Sequence, residues 1–401
     1  MNIAVAQSGG PTVAINASLM GVFEAALKSD KIDKIYGSLN GIEGIINDNL
    51  VNLGEIIKTN EDIELVKLTP STVLGSCRYK MPSPEKDGSV YQKIIECFKK
   101  YEIGAFFYIG GNDSMDTTDK LSKYTMENGI DVKVIGVPKT IDNDLCYTDH
   151  TPGFGSAAKY LATTIQEIAR DSAVYDLKSV LIVEVMGRHA GWLTASSGVL
   201  HANGETAPHL IYLPEGEFTA EKFLNDVKAQ LEIRNSVIVA VSEGIKLDDA
   251  NYRSGKVDNF GHEYLSGIGK LLENLVTEKI GCKVRSVELN VMQRCSSHLA
   301  SKTDIDEAAL IGAKGVEAAL AGETGKMMAF KRVSNSPYTV EIESVDAKLV
   351  ANAEKTFPKE WICDNGTNIT QDAIDYFLPL INGDVQIKTK NGMPVHFIIK
   401  K

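Results

Sequence analysis

The chain has 401 residues, enough for two cores, since a single core stops growing near roughly 250–300 residues. Its hydrophobic share of 43% and charged share of 24% are those of an ordinary globular protein, and its net charge of −11 argues against a general nucleic-acid or anionic-membrane surface. The six cysteines are scattered without a C-x-x-C pair, which argues against a disulfide framework or a structural zinc site. No apolar run approaches the roughly 20 residues of a membrane span, and Met1-Asn2 leads straight into an apolar run with no basic leader. A cytoplasmic protein is expected.

Short β-type runs alternate with helical stretches. Strands are expected at 3–6, 35–39, 105–109, 132–137, 180–185, 210–213, 237–241 and 287–291. Helical periodicity marks 14–28, 155–170, 220–231 and 262–278 between them. The last hundred residues read as a helix at 304–320, β segments at 326–332 and 338–342, and polar helices at 346–355 and 370–377. Near-continuous β-branched strands with intervening helices imply an α/β fold with mainly parallel sheets covered on both faces. Such sheets take their ligands at the carboxyl ends of the strands. The loops that follow the strands are therefore where chemistry is expected.

The first strand ends in Gln7-Ser8-Gly9-Gly10-Pro11-Thr12 before a helix. Glycines let the backbone approach an anion, and a helix N-terminus offers unpaired N–H groups; a plain tight turn is the alternative. A second such turn, Gly110-Gly111-Asn112-Asp113-Ser114, follows the strand at 105–109. Its Asp and Ser also suit a helix cap. Leu74-Gly75-Ser76-Cys77-Arg78 is a further Gly-Ser-Arg turn.

The run Pro138-Lys139-Thr140-Ile141-Asp142-Asn143-Asp144 is the most telling. A cation, a hydroxyl and two carboxylates follow a buried strand. An extended run would point Asp142 and Asp144 the same way. One carboxylate could accept a proton from an alcohol, the other could hold a magnesium ion or a water, and Lys139 could neutralise a phosphoryl group in transit. A solvated turn is the bland reading; the other phosphate-type loops weigh against it.

Further along, Met186-Gly187-Arg188-His189-Ala190-Gly191-Trp192 sets an arginine between glycines at a strand end, and its planar fork suits phosphate. His189 reads as structural or as a cap. Glu243, in Ser242-Glu243-Gly244, could accept hydrogen bonds from sugar hydroxyls. Arg285 and Arg294 flank the run at 287–291, where a solvated surface is the alternative reading.

On these residues the chain resembles the phosphofructokinase family, collinearly from Ser8-Gly9-Gly10 to Gln293-Arg294 and more weakly beyond. The most specific pieces are Thr140-Ile141-Asp142-Asn143-Asp144 and Met186-Gly187-Arg188. The resemblance implies two Rossmann-like domains with the active site in the cleft between them. Residues 1–147 and 294–345 would hold the phosphoryl donor; residues 148–293 and 346–401 would hold fructose 6-phosphate. Asp142 would be the base at the sugar 1-hydroxyl, flanked by Thr140 and Asp144. Met186, Gly187, Arg188 and Glu243 would hold the sugar, and Arg294 its 6-phosphate. Arg285 would reach a neighbouring subunit's site, implying a homodimer or homotetramer. Gly10, Arg78 and Gly111 would contact the donor phosphates.

Two positions bear on the donor. Asp113 and Lys139 stand where the pyrophosphate-dependent type of the family carries an acidic residue and a Lys. Asp113 would place a negative charge where the α-phosphate of ATP must lie, and Lys139 would stabilise a phosphate leaving group. Catalytic roles therefore fall to Asp142, Lys139, Asp113 and Arg188, with pyrophosphate as donor and magnesium as the implied cofactor. Asn112 replaces a family Asp, so metal binding would lean on Asn112 and Asp144, the substrate oxygens or Asp113. Val291 and Ser179 also depart from ATP-dependent members, although Lys178 is adjacent to Ser179. An ATP-dependent enzyme, a catalytically silent regulatory subunit and sedoheptulose 7-phosphate as acceptor stay open at this point.

Overall fold

The computed structural model describes residues 1–247 and 267–399. The first half of the chain supplies β1 (Asn2–Gln7), β2 (Ile35–Ser38), β3 (Leu50–Asn52), β4 (Ile103–Gly110) and β5 (Lys133–Pro138). Then come β6 (Ser179–Val185), β7 (Leu210–Tyr212), β8 (Ser236–Ser242) and β9 (Lys283–Glu288). A late hairpin adds β10 (Lys326–Asn335) and β11 (Tyr338–Asp346).

The strands form two main sheets. One has the order β11-β10-β5-β4-β1-β2-β3, with parallel pairing from β10 to β2 and antiparallel edges at β11 and β3. The other is parallel throughout, in the order β7-β8-β6-β9. Every residue of β1 is buried, which is why its alternation is lost and its sequence reads as a continuous apolar run. The chain leaves β1 for β2 on one side and pairs with β4 on the other. This opens a crevice at the carboxyl ends of β1 and β4, where a doubly wound sheet binds its ligand. Register brings Gln7 opposite Ile109 and Gly110 opposite Pro138, so the loops after β1, β4 and β5 emerge together.

Each sheet has its own core. Ile3, Val5, Phe107, Ile135 and Val137 share one cluster with the helices Ile15–Leu27 and Lys302–Leu320. Those helices touch closely: a Cβ on Gly312 would lie 2.2 Å from the Ser18 carbonyl oxygen, so only glycine permits the contact. The second core gathers the helix Phe154–Ser172 and β6 around Trp192, Phe357 and Phe377. At the chain end, Phe397 and Ile399 return to the first core, where the Phe397 amide donates to Thr69 Oγ1 at 2.8 Å.

Most expected strands fall within a residue or two of those observed. The expected strand at 287–291 does not. β9 ends at Glu288, residues Asn290–Arg294 form a 3-10 turn, and Val291 and Met292 are exposed. The edge position of β9 leaves its residues half-covered, so their pattern misleads. The expected polar helix at 346–355 shrinks to Ala347–Val350, because Asn352 turns to φ 60° and ends it. The helix expected at 262–278 is described from Ile268 to Lys279; its start lies outside the described residues. The helix Gly88–Lys100 and the short strand β3 had no counterpart in the sequence reading. Among the described residues, no helix is long and apolar enough to cross a membrane. All six cysteines are free.

Candidate active site

The strand-end loops of both sheets line one cavity of about 670 Å³. Gly10, Arg78, Gly111, Asn112, Asp113, Lys139, Thr140, Asp142 and Asp144 line it from the first sheet's side; Met186, Arg188, Glu243 and Arg294 line it from the other.

Lys139 continues directly from β5, its amide bonded to the Gly110 carbonyl oxygen at 2.9 Å. Its side chain is 2% exposed and its Nζ donates to the Gly10 carbonyl oxygen at 2.7 Å. Burial, with Arg294 and Arg78 nearby, outweighs the attraction of Asp142 and Asp144 and brings its pKa down to about 8. The double glycine makes room for these cations. A Cβ on Gly9 would sit 3.2 Å from Lys139 Nζ, and one on Gly10 would sit 3.3 Å from an Arg294 guanidinium nitrogen.

Asp142 and Asp144 both line the cavity, but not through strand alternation. Asn143 between them is at φ 54°, a left-handed turn, so the extended geometry expected for this run is corrected. The Asp142 amide donates to Thr140 Oγ1 at 3.1 Å. Burial raises the Asp142 pKa, against the pull of Lys139, Arg188 and Arg294. Burial, then repulsion from Asp142, lifts Asp144 to about 7. Two carboxylates in one desolvated pocket cannot both ionise cheaply, so this loop is poised to take up a proton near neutrality.

Opposite, the β6 loop carries Met186, Gly187 and Arg188. Gly187 supports the loop and does not line the cavity; its amide donates to Glu243 Oε1 at 3.3 Å, and its carbonyl accepts from Ser242 Oγ at 2.5 Å. Arg188 Nε stands 3.7 Å from Glu243 Oε1. Burial raises Glu243 to about 7 despite these partners. Arg294 is fixed through its neighbour, since buried Gln293 accepts from the Met186 amide at 3.2 Å.

Arg285 stands apart. It is exposed on β9 and does not line this chain's cavity. The structure also adds residues that the sequence reading passed over. Ser8, Tyr79, Lys80, Asn352 and Glu354 line the cavity, and Ser8 Oγ meets Ser114 Oγ at 2.6 Å. His189, read as structural, lines the cavity as well and bonds Glu354 at 3.0 Å. Lys80 lies two residues beyond Arg78 and was within reach of sequence reasoning; Asn352 and Glu354 carried no motif.

Among the described residues, no three His, Cys, Asp or Glu side chains gather as a metal cage. Asn112 Oδ1, however, is buried without a hydrogen-bond partner at the cavity wall. An uncommitted amide oxygen in the cavity that the carboxylate of Asp144 also lines suits a hard cation that keeps most of its ligands from water and phosphate.

The comparisons agree with this geometry. The family model for phosphofructokinase matches residues 2–319. The chain is 40% identical over 399 residues to a pyrophosphate–fructose 6-phosphate 1-phosphotransferase of Halomonas elongata, covering 98% of this chain and 94% of that one. It is 39% identical to the protein of the same description from Methylococcus capsulatus, over 98% of this chain and 94% of that one. A crystal structure of a pyrophosphate-dependent phosphofructokinase from Nitrosospira multiformis superposes with a TM-score of 0.88 at 37% identity, covering 100% of this chain and 98% of that one. With two α/β lobes, strand-end loops converging on one cleft and a match along most of its length, the chain belongs to the phosphofructokinase family.

Proposed function

We propose that this chain transfers a phosphoryl group from pyrophosphate to the 1-hydroxyl of fructose 6-phosphate, giving fructose 1,6-bisphosphate and phosphate. One observation carries the donor assignment: Asp113 and the buried Lys139 line the same cleft, beside the Gly9–Gly10 turn. An anion at Asp113 repels a nucleotide's α-phosphate, and a desolvated ammonium at Lys139 suits the localised charge of departing phosphate. The relatives named above carry the same donor in their descriptions.

In this reading Asp142 accepts the proton of the 1-hydroxyl. The oxygen attacks the near phosphorus of pyrophosphate, the bridging P–O bond breaks, and phosphate leaves toward Lys139. Gly10, Arg78, Gly111 and Asn112 cradle the donor. Arg188, Met186 and Glu243 hold the sugar, with Gly187 shaping their loop, and Arg294 takes the 6-phosphate. Thr140 holds the Asp142 amide. Asn112 and Asp144 would hold magnesium, which when bound neutralises donor charge. Because pyrophosphate and a sugar bisphosphate have similar phosphoryl-transfer potential, the reaction runs in both directions.

The donor side of the cleft is assigned to residues 1–147 and 294–345 and the acceptor side to residues 148–293 and 346–401, a division supported by the presence of two separate main sheets. Arg285, exposed on an edge strand, completes the site of a second copy in a homodimer or homotetramer, and the enzyme works in the cytoplasm. The test is an initial-rate assay on fructose 6-phosphate and magnesium with pyrophosphate or ATP as sole donor. Turnover with pyrophosphate alone is expected. Turnover with ATP alone would overturn the donor, and silence with both would overturn the activity.

A further inference from the structure

Asn143, the residue between the two cleft carboxylates, is fully buried and held at φ 54°. A side chain stays in that left-handed region when its surroundings hold it there. The holding contact comes from the other lobe. Asn143 Nδ2 donates at 2.9 Å to Tyr376 Oη, on the helix Gln371–Phe377. The same hydroxyl donates to the Asp149 carbonyl oxygen at 2.6 Å, so it staples both ends of the loop 143–149.

The tyrosine is itself immobilised. The Arg332 guanidinium lies 4.4 Å from its ring centre and donates to its carbonyl oxygen at 3.0 Å, and the Trp192 ring lies 5.4 Å away. A second tether runs in parallel: the Lys355 amide donates to the Asp144 carbonyl oxygen at 2.7 Å, and its Nζ donates to the carbonyls of Thr148 and Asp149. Asn143 Oδ1 has no partner. The bond to Tyr376 is therefore the hydrogen bond that fixes the Asn143 amide group. Neither residue lines the cavity.

We propose that Tyr376 is a positioning residue for phosphoryl transfer, its hydroxyl fixing through Asn143 the turn that aims Asp142 and Asp144 into the cleft. The inference rests on the functional reading above. It follows from geometry: one left-handed residue separates the two carboxylates, so a rotation there swings both, and misplacement by about 1 Å costs on the order of a hundredfold in rate.

The experiment is a double-mutant cycle on kcat. Tyr376→Phe deletes the hydroxyl and keeps the ring packed. Asn143→Gly deletes the amide and keeps a residue at ease with positive φ. Each is expected to lower kcat about tenfold or more, with both KM values within about twofold, and the double variant is expected to fall no further than either single one. A purely structural role would lower Tm and leave kcat unmoved at temperatures where the variants are folded. If wild type is active and Tyr376→Phe keeps its kcat, or the two losses multiply, the inference is overturned and the functional reading survives. Should Tyr376→Phe fail to fold, unchanged kcat in Asn143→Gly overturns the inference equally. An inactive wild type sinks the functional reading and this inference with it.

Discussion

Lys139 Nζ is bonded at 2.7 Å to the Gly10 carbonyl oxygen, in the cleft that Asp113 also lines. The cation directly follows β5 but is aimed at the turn after β1, at the crevice between strands where this fold places its ligand. Replacing it with an uncharged side chain of similar length, Lys139→Met, removes the charge while filling the buried space. Turnover with pyrophosphate is expected to fall on the order of a hundredfold or more, as for loss of an electrostatic group at a charged transition state. Affinity for fructose 6-phosphate, measured by calorimetry, is expected to stay within a few-fold. Equal losses in both would make Lys139 a structural residue.

The pH dependence follows from the same burial. Lys139 gives up its proton near about 8, and Asp144 takes one up near about 7, with Asp142 raised beside it. The free enzyme needs both carboxylates ionised, Asp142 to accept a proton and Asp144 (the one that titrates near about 7) to offer its charge, and it needs the lysine charged. Its kcat/KM with limiting pyrophosphate is therefore expected to be bell-shaped and narrow, falling on the acid side of about 7 and the alkaline side of about 8. Lys139→Arg should move the alkaline limb out of range, since guanidinium holds its proton. An alkaline limb that stays put in that variant would assign it to another group.

The proposed determinant of donor choice is Asp113, at the second residue of the helix Asn112–Glu127 and exposed to the cleft. A like charge against an α-phosphate in a partly desolvated site is worth roughly a few kcal/mol, so Asp113→Gly is expected to raise kcat/KM for ATP by about ten- to a hundredfold. Pyrophosphate turnover should fall in the same variant. Donor preference that does not shift would move the barrier to the cleft wall itself.

The cleft carboxylates carry a cost to the fold whose sign can be worked out. Asp144 has a folded pKa of about 7 against an ordinary value of 3.8, raised by burial and then by Asp142. Between those values the folded state binds more protons than the unfolded one, so this group removes stability as pH rises through the interval. Asp144→Asn, which cannot ionise, is expected to raise Tm at pH 8, with the gain shrinking as pH falls toward 4. The reverse trend in a thermal melt series would mean that Asp144 is held ionised by a partner. Loss of activity in the same variant would illustrate a site kept at the expense of stability.

The cleft-lining loops and the carboxylate pair were legible in the sequence because glycines and charges at strand ends have few structural uses. It misread how Asp142 and Asp144 come to share a cavity. Alternation along an extended chain was the local argument, whereas a left-handed Asn143 held by Tyr376, more than two hundred residues away, is the physical cause. Asn352 and Glu354 were illegible for a similar reason. They sit in a polar stretch with helical composition, and the packing of Val350 with Met115 and Leu145, together with the Lys355 amide bond to the Asp144 carbonyl oxygen, brings that stretch to the cleft. Local pattern identified the elements and their chemistry; contacts remote in sequence set the angles.

Arg285 tests whether the site is complete in one chain. It alternates outward on the exposed edge strand β9, while Arg294, nine residues later, lines the cavity of its own chain. An arginine on an edge that does not line its own chain's cleft fits a role in a neighbouring copy, where its planar fork would grip a phosphate. Arg285→Ala is expected to raise the KM for fructose 6-phosphate about ten- to a hundredfold with little change in that for pyrophosphate, since loss of a charged hydrogen bond is worth about 1.5–3 kcal/mol. The wild type should also lose specific activity on dilution below its assembly constant, and mixing Arg285→Ala with inactive Asp142→Ala should restore a fraction of sites that have both groups. Recovery on mixing requires that the two residues serve one site from different chains; its absence, with KM unchanged, would place the whole acceptor site within a single chain.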